Sequence, residues 1–485
     1  MPARAANAAY FGLALREALS LACVSIFLAL LLWPLLYSGQ TPWVFAGFAF
    51  FFFTFGHMCL TSGRYVILPG LILFVACLQW VIAPWLSYRF PPSFALFAMY
   101  VPMEEYFAYA VPAAIALGVG LHLPLRFRKM DSCSQRMDCS VTKPYALLMD
   151  FFVIFGILMN RTILYLPGAY GFFYYILAQL RFVGVFVLLL AKARGWYWRA
   201  GLVYVDLLLW TSSGGVFYEF ILWSGYLFIV MAYVYRWRWR LLLYLVMAIF
   251  LISLFNGIKQ EYRYQLGEKQ LSGIQRVFLI ADLLTSSMHG EKSYPQYLGN
   301  RTFGDHLVRY NQGWIVSRIM GTVPRIEPYA RGETVLSAIA ASLIPRAFLP
   351  DKIVAAPKEF FRKYTDLPIA DSTSMALGAV GEMYVNFGRG GGVLAVFVYG
   401  LVLGFLFRRF AKWASGNLLW WAWVPFVLLF AVEAEWNLAD VLNHVTKSLV
   451  VMLVLIYGLP VIRKGLLRNK PGRDFNAVSA VSKDI

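Results

Sequence analysis

A short polar stretch, GEMYVNFGRGGG at 381–392, places several reactive side chains beside a strongly apolar part of the chain. It combines a carboxylate (Glu382), a phenol (Tyr384), an amide (Asn386) and a guanidinium (Arg389) with five glycines. A carboxylate can accept a proton from an attacking hydroxyl, and glycines allow a backbone to approach a ligand closely. A helix cap and a tight turn would explain the glycines alone. The four polar side chains together indicate a functional site.

A second motif, IPRAFLPDK at 344–352, holds Arg346 between two prolines that stiffen the backbone. A rigidly held guanidinium suits bidentate binding of phosphate oxygens. An arginine that meets lipid headgroups at the membrane surface is the alternative. Earlier in the chain, His306 follows Asp305, which could orient the imidazole for catalysis. An isolated loop histidine is more often a surface residue, so both interpretations stay open.

Membrane-spanning helices must position these residues. Of the 485 residues, 60% are hydrophobic and only 14% are charged, whereas soluble domains carry about a quarter charged residues. Apolar runs of about 18 residues or more recur along the chain, which predicts an all-α polytopic membrane protein. About twelve transmembrane helices are predicted, near 17–37, 43–60, 65–86, 97–120, 145–165, 169–190, 200–213, 216–234, 241–255, 392–407, 418–434 and 448–462.

The distribution of basic residues predicts the orientation of these spans. With a cytoplasmic N-terminus, the Lys and Arg clusters fall in inside segments, and the short outside loops hold little more than Arg89 and Lys447. Both termini are then cytoplasmic, and the net charge of +18 reflects topology and not a nucleic-acid partner. The predicted regions are an N-terminal transmembrane bundle (1–255), a large external loop (256–391), C-terminal spans (392–462) and a basic cytoplasmic tail (463–485).

The external loop is expected to contain helices. Apolar spacing predicts a helix over 374–385 that Gly388 ends, just before the tenth span. The stretch TVLSAIAASLIP at 334–345 predicts an amphipathic helix that could lie on the membrane surface.

Ionisable side chains inside the spans or at their edges are further candidates. Such residues are costly in a bilayer and mark functional sites by default. Most of them fall on the side of the long loop, which predicts a polar cavity that opens to the outside beneath it. Interhelical salt bridges are the alternative. The group consists of Glu104, Glu105, Arg161, Arg181, Asp206, Glu219, Glu433 and Glu435.

IPRAFLPDK followed by GEMYVNFGRGG resembles the bacterial oligosaccharide repeat-unit polymerases, the Wzy-type O-antigen and exopolysaccharide polymerases. That family often shows an I-P-R-x-x-x-P-x-K stretch in its large periplasmic loop. A G-E-x-Y-x-N-F-G-x-x-G stretch then leads into the next span. Both patterns occur here in the same order, and the remainder of the chain is similar to the family in its layout of spans and loop.

The resemblance implies a fold like that of integral-membrane GT-C-like glycosyltransferases, in the bacterial inner membrane. Such enzymes move a growing glycan from undecaprenyl pyrophosphate to a sugar hydroxyl of a new lipid-linked repeat unit, at the periplasmic face. They serve O-antigen, capsule or exopolysaccharide biosynthesis and use no nucleotide sugar. The expected partners are the lipid-linked oligosaccharides and the bilayer, together with a chain-length regulator and a flippase.

That reaction assigns roles to the candidate residues. Glu382 is the expected base, and Arg346 and Arg389 are expected to neutralise the departing pyrophosphate. Asp371 and Glu382 could hold Mg²⁺ there, but the loop has no D-x-D motif, so no metal or other cofactor is expected. The further candidates for base or for binding pyrophosphate and glycan are Arg181, Tyr384, Asn386, Glu104, Glu105 and His306.

Other activities fit parts of the same pattern. A ligase that moves a finished glycan onto a lipid or protein would use the same chemistry at the pyrophosphate, and the motif pair favours the polymerase. A flippase or transporter would carry its charged residues along a central pathway, usually between two repeated halves, and no such repeat is found. A structural subunit of an envelope assembly is the third alternative.

Overall fold

The computed structural model describes residues 18–32, 41–63, 66–126, 142–162, 171–214, 218–237, 258, 261–262, 264–266, 273–288, 303–343, 357–369 and 375–467. Within these ranges the chain is almost entirely helical and contains no strand. The helices are α1 (Ala18–Leu31), α2 (Pro42–Thr61), α3 (Leu68–Arg89), α4 (Met103–Arg126), α5 (Lys143–Thr162), α6 (Gly171–Leu190), α7 (Trp196–Gly214), α8 (Tyr218–Tyr235), α9 (Gly273–Met288), α10 (Phe303–Leu307), α11 (Gly313–Thr322), α12 (Glu333–Leu343), α13 (Pro357–Thr365), α14 (Gly378–Ala414), α15 (Trp423–Val427), α16 (Leu438–Gly458) and α17 (Pro460–Leu467).

Seven of the described helices are long and apolar enough to cross a membrane, namely α2, α3, α4, α5, α6, α14 and α16. Their outer surfaces are apolar as well. On α5, for example, Leu147, Phe151, Ile154 and Leu158 lie one turn apart along one exposed face, as expected for a helix that contacts lipid. These features confirm an all-α, multi-pass membrane protein. The predicted span at 241–255 lies outside the described residues, and α1 and α8 are apolar but shorter.

The prediction of a spanning helix at 418–434 is wrong. The chain forms a 3₁₀ turn at Leu418–Ala422 and the short α15, and then runs without helix until α16 begins at Leu438. Residues 419–433 are buried inside the bundle. Irregular backbone is tolerated at membrane depth where protein surrounds it. This run is therefore apolar because it is enclosed by other helices.

The last span begins ten residues earlier than its predicted start near 448, since α16 covers Leu438–Gly458. Lys447, which we expected in an outside loop, therefore lies within this helix. Its ammonium stands 4.5 Å from the centroid of the Phe172 ring, an attraction that compensates part of the loss of hydration. The predicted loop boundary at 391 similarly falls inside α14.

Glycines bring the central helices into direct backbone contact. A Cβ atom on Gly400 of α14 would lie 2.8 Å from the carbonyl oxygen of Leu117 in α4, and one on Gly404 would lie 2.5 Å from that of Leu121. Small residues at such crossings allow helix backbones to approach closely in a membrane. This packing holds the N-terminal half of α14, which carries the GEMYVNFGRGGG motif, beside the start of α4.

Part of the predicted external loop folds back onto the bundle. Helix α11 is buried along most of its length, with Trp314 and Ile319 among its core residues. The hydroxyl of Ser317 accepts hydrogen bonds from the backbone N–H groups of Tyr100 (2.6 Å) and Val101 (3.0 Å), just before α4. The predicted amphipathic helix is present as α12, which packs against α16 and α14.

Candidate functional site

The polar motif spans a break in α14. Gly388 has φ 65° and ψ −163°, so the helix stops there and starts again at Arg389. This backbone conformation favours glycine, and the phenol of Tyr329 lies against the position that a Cβ would take, at 3.0 Å. The prediction that Gly388 ends a helix is confirmed, and this first segment covers 378–387, whereas 374–385 was predicted.

Glu382 is 3% exposed and faces away from α4. Its Oε1 accepts a hydrogen bond from the hydroxyl of Thr334 on α12 (3.2 Å). Its Oε2 accepts one from the backbone N–H of Leu438, the first residue of α16 (2.9 Å). A carboxylate at a helix N-terminus is favourable because the first backbone N–H groups lack acceptors inside the helix. Glu382 therefore joins three helices.

Asn386 lies one turn after Glu382 on the same face. Its Nδ2 donates to the Thr334 hydroxyl (2.6 Å) and to the backbone carbonyl of Glu382 (2.8 Å). Its Oδ1 accepts from the backbone N–H of Gly332 (3.0 Å). The amide thus holds the start of α12, and the side chain expected to bind sugars is engaged by protein groups.

A cavity of about 180 Å³ opens beside Glu382, between α12, α13, the first segment of α14 and the start of α16. Its charged side chains are Glu333, Glu382 and Lys363, and the other walls are small or aromatic. The lining residues are Glu333, Thr334, Ser337, Ala338, Ala341, Phe360, Lys363, Tyr364, Glu382, Asn437 and Ala439. In the described part of the chain, no cluster of three or more His, Cys, Asp or Glu side chains is arranged around a metal position.

The opposite face of the motif contacts α4. Two residues along a helix correspond to a rotation of about 200°, so Tyr384 points away from Glu382. The Tyr384 ring packs edge-on against Tyr109, with 4.9 Å between centroids. Arg389 is exposed, and its Nε donates to the carbonyl of Ala108 (3.0 Å).

The start of α4 adds two carboxylates on this face. Glu104 is exposed and Glu105 is half-buried, both in the first helical turn and within one turn of the carbonyl that Arg389 contacts. Glu105 interacts electrostatically with Tyr384. The structure therefore brings Tyr384, Arg389 and these carboxylates to one surface of the motif. Glu382 and Asn386 lie on the opposite surface.

Arg181 belongs to a separate polar cluster inside the membrane bundle. Its side chain is fully buried, and Nη1 donates to Oδ2 of Asp206 at 2.6 Å. Asp206 also pairs with Arg161 at 2.7 Å and accepts from Asn160 at 3.1 Å. Glu219 interacts electrostatically with Arg181 as well. These residues therefore form the interhelical salt bridges that the sequence analysis gave as the alternative to a functional site. A role of Arg181 in binding the pyrophosphate stays a prediction.

Glu433 and Glu435 lie in the non-helical segment before α16 and not at the end of a span. Glu433 is buried, and its Oε2 accepts from the indole N–H of Trp436 (2.6 Å). Glu435 stands 3.9 Å from Arg309 at a partly exposed position. Neither residue lines the cavity beside Glu382.

Three loop predictions remain untested. Arg346 and Asp371 lie outside the described residues. His306 is exposed on α10. The carboxylate of the adjacent Asp305 accepts hydrogen bonds from the backbone N–H and the hydroxyl of Ser93, both at 2.8 Å, and thereby ties α10 to the segment after α3.

The partners of the motif are residues that sequence reasoning missed. Thr334 was visible only as part of an amphipathic pattern, and Asn437, Lys363 and Tyr364 carried no signal. Comparisons with protein-family models, curated proteins and solved structures find no match to this chain. The residues and their geometry therefore carry the functional interpretation.

Proposed function

We propose that this protein is a glycosyltransferase that polymerises lipid-linked oligosaccharide repeat units at the outer face of a bacterial inner membrane. One observation carries the proposal. The motif that resembles the repeat-unit polymerases forms a broken helix that continues into a membrane span, with Arg389 and two carboxylates on one face and a Glu382-lined cavity on the other. Broken helices of this kind recur at substrate sites in membrane proteins.

The reaction replaces one bond at the anomeric carbon of the growing glycan. The bond from this carbon to the undecaprenyl pyrophosphate breaks, and its electron pair leaves with the pyrophosphate oxygen. The acceptor hydroxyl of a new repeat unit forms the replacing bond, and its proton passes to a carboxylate. The site must therefore offer a cation for the leaving group and a base for the hydroxyl.

Arg389 suits the leaving group because it is exposed, and only its Nε is engaged within the described part of the chain. The remaining N–H donors of the guanidinium can hold phosphate oxygens in a bidentate manner. The helix that restarts after Gly388 adds the positive end of its dipole and backbone N–H groups that lack acceptors inside the helix. Both features favour an anion at this end of the span.

Two sets of carboxylates can serve as the base. Glu104 and Glu105 lie on the same face as Arg389. Glu382 opens into the cavity, and each of its carboxylate oxygens can accept one more hydrogen bond besides those from Thr334 and Leu438. Catalysis would require the chosen carboxylate to come within hydrogen-bond reach of the acceptor hydroxyl.

The proposal can be tested with purified protein in liposomes supplied with lipid-linked repeat units from cells that lack the gene. We expect wild-type protein to convert single repeats into a ladder of polymers on a gel. Arg389→Gln should abolish the ladder, whereas Arg409→Gln, at the other end of α14, should retain it. A ligase would yield no ladder from single repeats but would transfer finished polymer to an added acceptor. Absence of bond formation by the wild type would refute both activities and favour a transporter.

A further inference from the structure

The cavity beside Glu382 has a charge pattern that restricts its ligand. Among the described residues that line it, Glu333 and Glu382 carry carboxyl groups and the exposed Lys363 carries an ammonium. Glu382 is buried whereas Glu333 is exposed, so a buried anion would be repelled mainly by the Glu382 carboxylate. Carboxylate oxygens accept hydrogen bonds only, so they favour hydroxyl or ammonium donors. The described lining therefore favours a hydroxyl-rich ligand over a phosphate.

The walls of the cavity fit the rest of such a ligand. Tyr364 and Phe360 pack edge to face, with 5.0 Å between centroids, and form an aromatic wall against which the carbon face of a ring can rest. Ala338, Ala341 and Ala439 leave space in the cavity, because their side chains end at Cβ. The cavity thus offers both polar groups for the hydroxyls and apolar groups for the carbon face of a sugar ring.

The volume of the cavity indicates whether it holds a single sugar ring or a longer part of a glycan. The cavity of about 180 Å³ is smaller than the roughly 300–1,000 Å³ of pockets that enclose drug-sized ligands. That space admits one ring with its hydroxyls, and the rest of an oligosaccharide would extend through the open side.

We propose that this cavity binds one neutral or amine-bearing sugar ring of the acceptor oligosaccharide, through hydrogen bonds from its hydroxyls to Glu333 and Glu382. The inference rests on the proposed function, which it deepens by assigning an acceptor subsite apart from the surface that carries Arg389. The two acidic side chains disfavour a uronic acid at this position.

The test fills the cavity without removing a polar group. Ala341→Leu adds three carbons to a lining position, whereas Ala340→Leu makes the same change at an exposed neighbour that does not line the cavity. The probe is a repeat unit on a short alkyl glycoside, which can accept a glycan but cannot donate one. We expect Ala341→Leu to raise the KM for this acceptor at least about tenfold, in line with the effect of small volume changes in a pocket. The KM for the pyrophosphate-linked donor should stay unchanged.

The two variants together make the outcome decisive. Ala340→Leu should behave as wild type in both KM values and in thermal stability. If Ala341→Leu keeps the wild-type acceptor KM, or if both variants lose activity equally, the subsite is overturned while the polymerase remains established by the wild-type ladder. If the wild type forms no polymer, the proposed function itself fails.

Charge selectivity supplies a second readout. Acceptors that differ only in a terminal glucose or glucuronate should be discriminated by the wild type, in favour of glucose. Glu333→Gln removes one exposed carboxylate charge and should reduce this preference by up to about fivefold, while the KM for the donor stays the same. An unchanged preference in Glu333→Gln would overturn the assignment of this residue to the acceptor.

Discussion

Replacing Glu382 by Gln distinguishes a chemical role of this carboxylate from a structural one. Gln has nearly the same shape but is neutral and offers one acceptor oxygen in place of two. The Thr334 hydroxyl and the Leu438 N–H both donate to the carboxylate, at 3.2 Å and 2.9 Å, so at least one of these bonds is lost or weakened. Hydrogen bonds to charged groups contribute about 1.5–3 kcal/mol each, so we expect Glu382→Gln to lower the stability by about that amount.

The size of the change in kcat and in the acceptor KM distinguishes a structural role of Glu382 from a role as the base or as a sugar ligand. A loss of about 1.5–3 kcal/mol leaves most molecules folded in a protein of ordinary stability, so turnover per folded molecule would hardly change. Removal of a general base would lower kcat by about 10²–10⁴-fold. Loss of a sugar contact would instead raise the KM for the acceptor. The measurement is therefore kcat and acceptor KM per folded protein, with folding followed by thermal unfolding in detergent.

Thr334→Val is the matched control. It removes the hydroxyl that donates to Glu382 and accepts from Asn386, but it leaves the carboxylate in place. We expect a stability loss similar to that of Glu382→Gln with kcat largely retained. If Glu382→Gln keeps both the wild-type kcat and the wild-type acceptor KM, Glu382 only joins the three helices, and the base must be sought elsewhere. Glu105→Gln is then the next variant to assay.

Three further changes test the packing around the site by thermal unfolding of the purified protein. Gly400→Ala places a Cβ 2.8 Å from a backbone oxygen of α4 and should lower the stability by about 1–3 kcal/mol, whereas Gly201→Ala, with open space at its Cβ, should leave it unchanged or slightly higher. Asp206→Asn removes the buried partner of Arg181 and should destabilise by about 3–5 kcal/mol; an unchanged midpoint would contradict the buried ion pair. Gly388→Ala forces a side chain into the left-handed region and should cost about 1–3 kcal/mol while reducing polymer formation, and wild-type behaviour would show that the break is not required.

Features that depend on neighbours in the sequence were predictable. The apolar spacing before Gly388 predicts a helix, and glycine at the break follows from its freedom at positive φ. The opposite orientation of Glu382 and Tyr384 follows from the period of the helix. The multi-pass helical architecture likewise follows from long apolar runs, because a membrane-spanning backbone must pair its polar groups within the segment.

Hydropathy predicted the wrong structure where lipid and the protein interior favour the same residue types. Both lipid and a protein interior favour apolar side chains, so the run at 418–434 resembled a span although other helices enclose it. The opposite error occurred at the start of α16, where Lys447 was assigned to a loop although it lies inside the helix, together with Asp440 and His444. The free energy of placing such ionisable side chains in a membrane helix depends on the groups around them, and the amino-acid composition does not reveal these groups.

The sequence by itself determined that the chain crosses a membrane as helices and that its polar motif ends one helix and begins another. Only the tertiary structure decided which groups meet that motif. Thr334 and Leu438 lie 48 and 56 residues from Glu382, and Asp206 lies 25 residues from Arg181. The cavity beside Glu382 likewise arises where four helices meet. Such contacts depend on how all the helices pack at once, and no local pattern of residues encodes that arrangement.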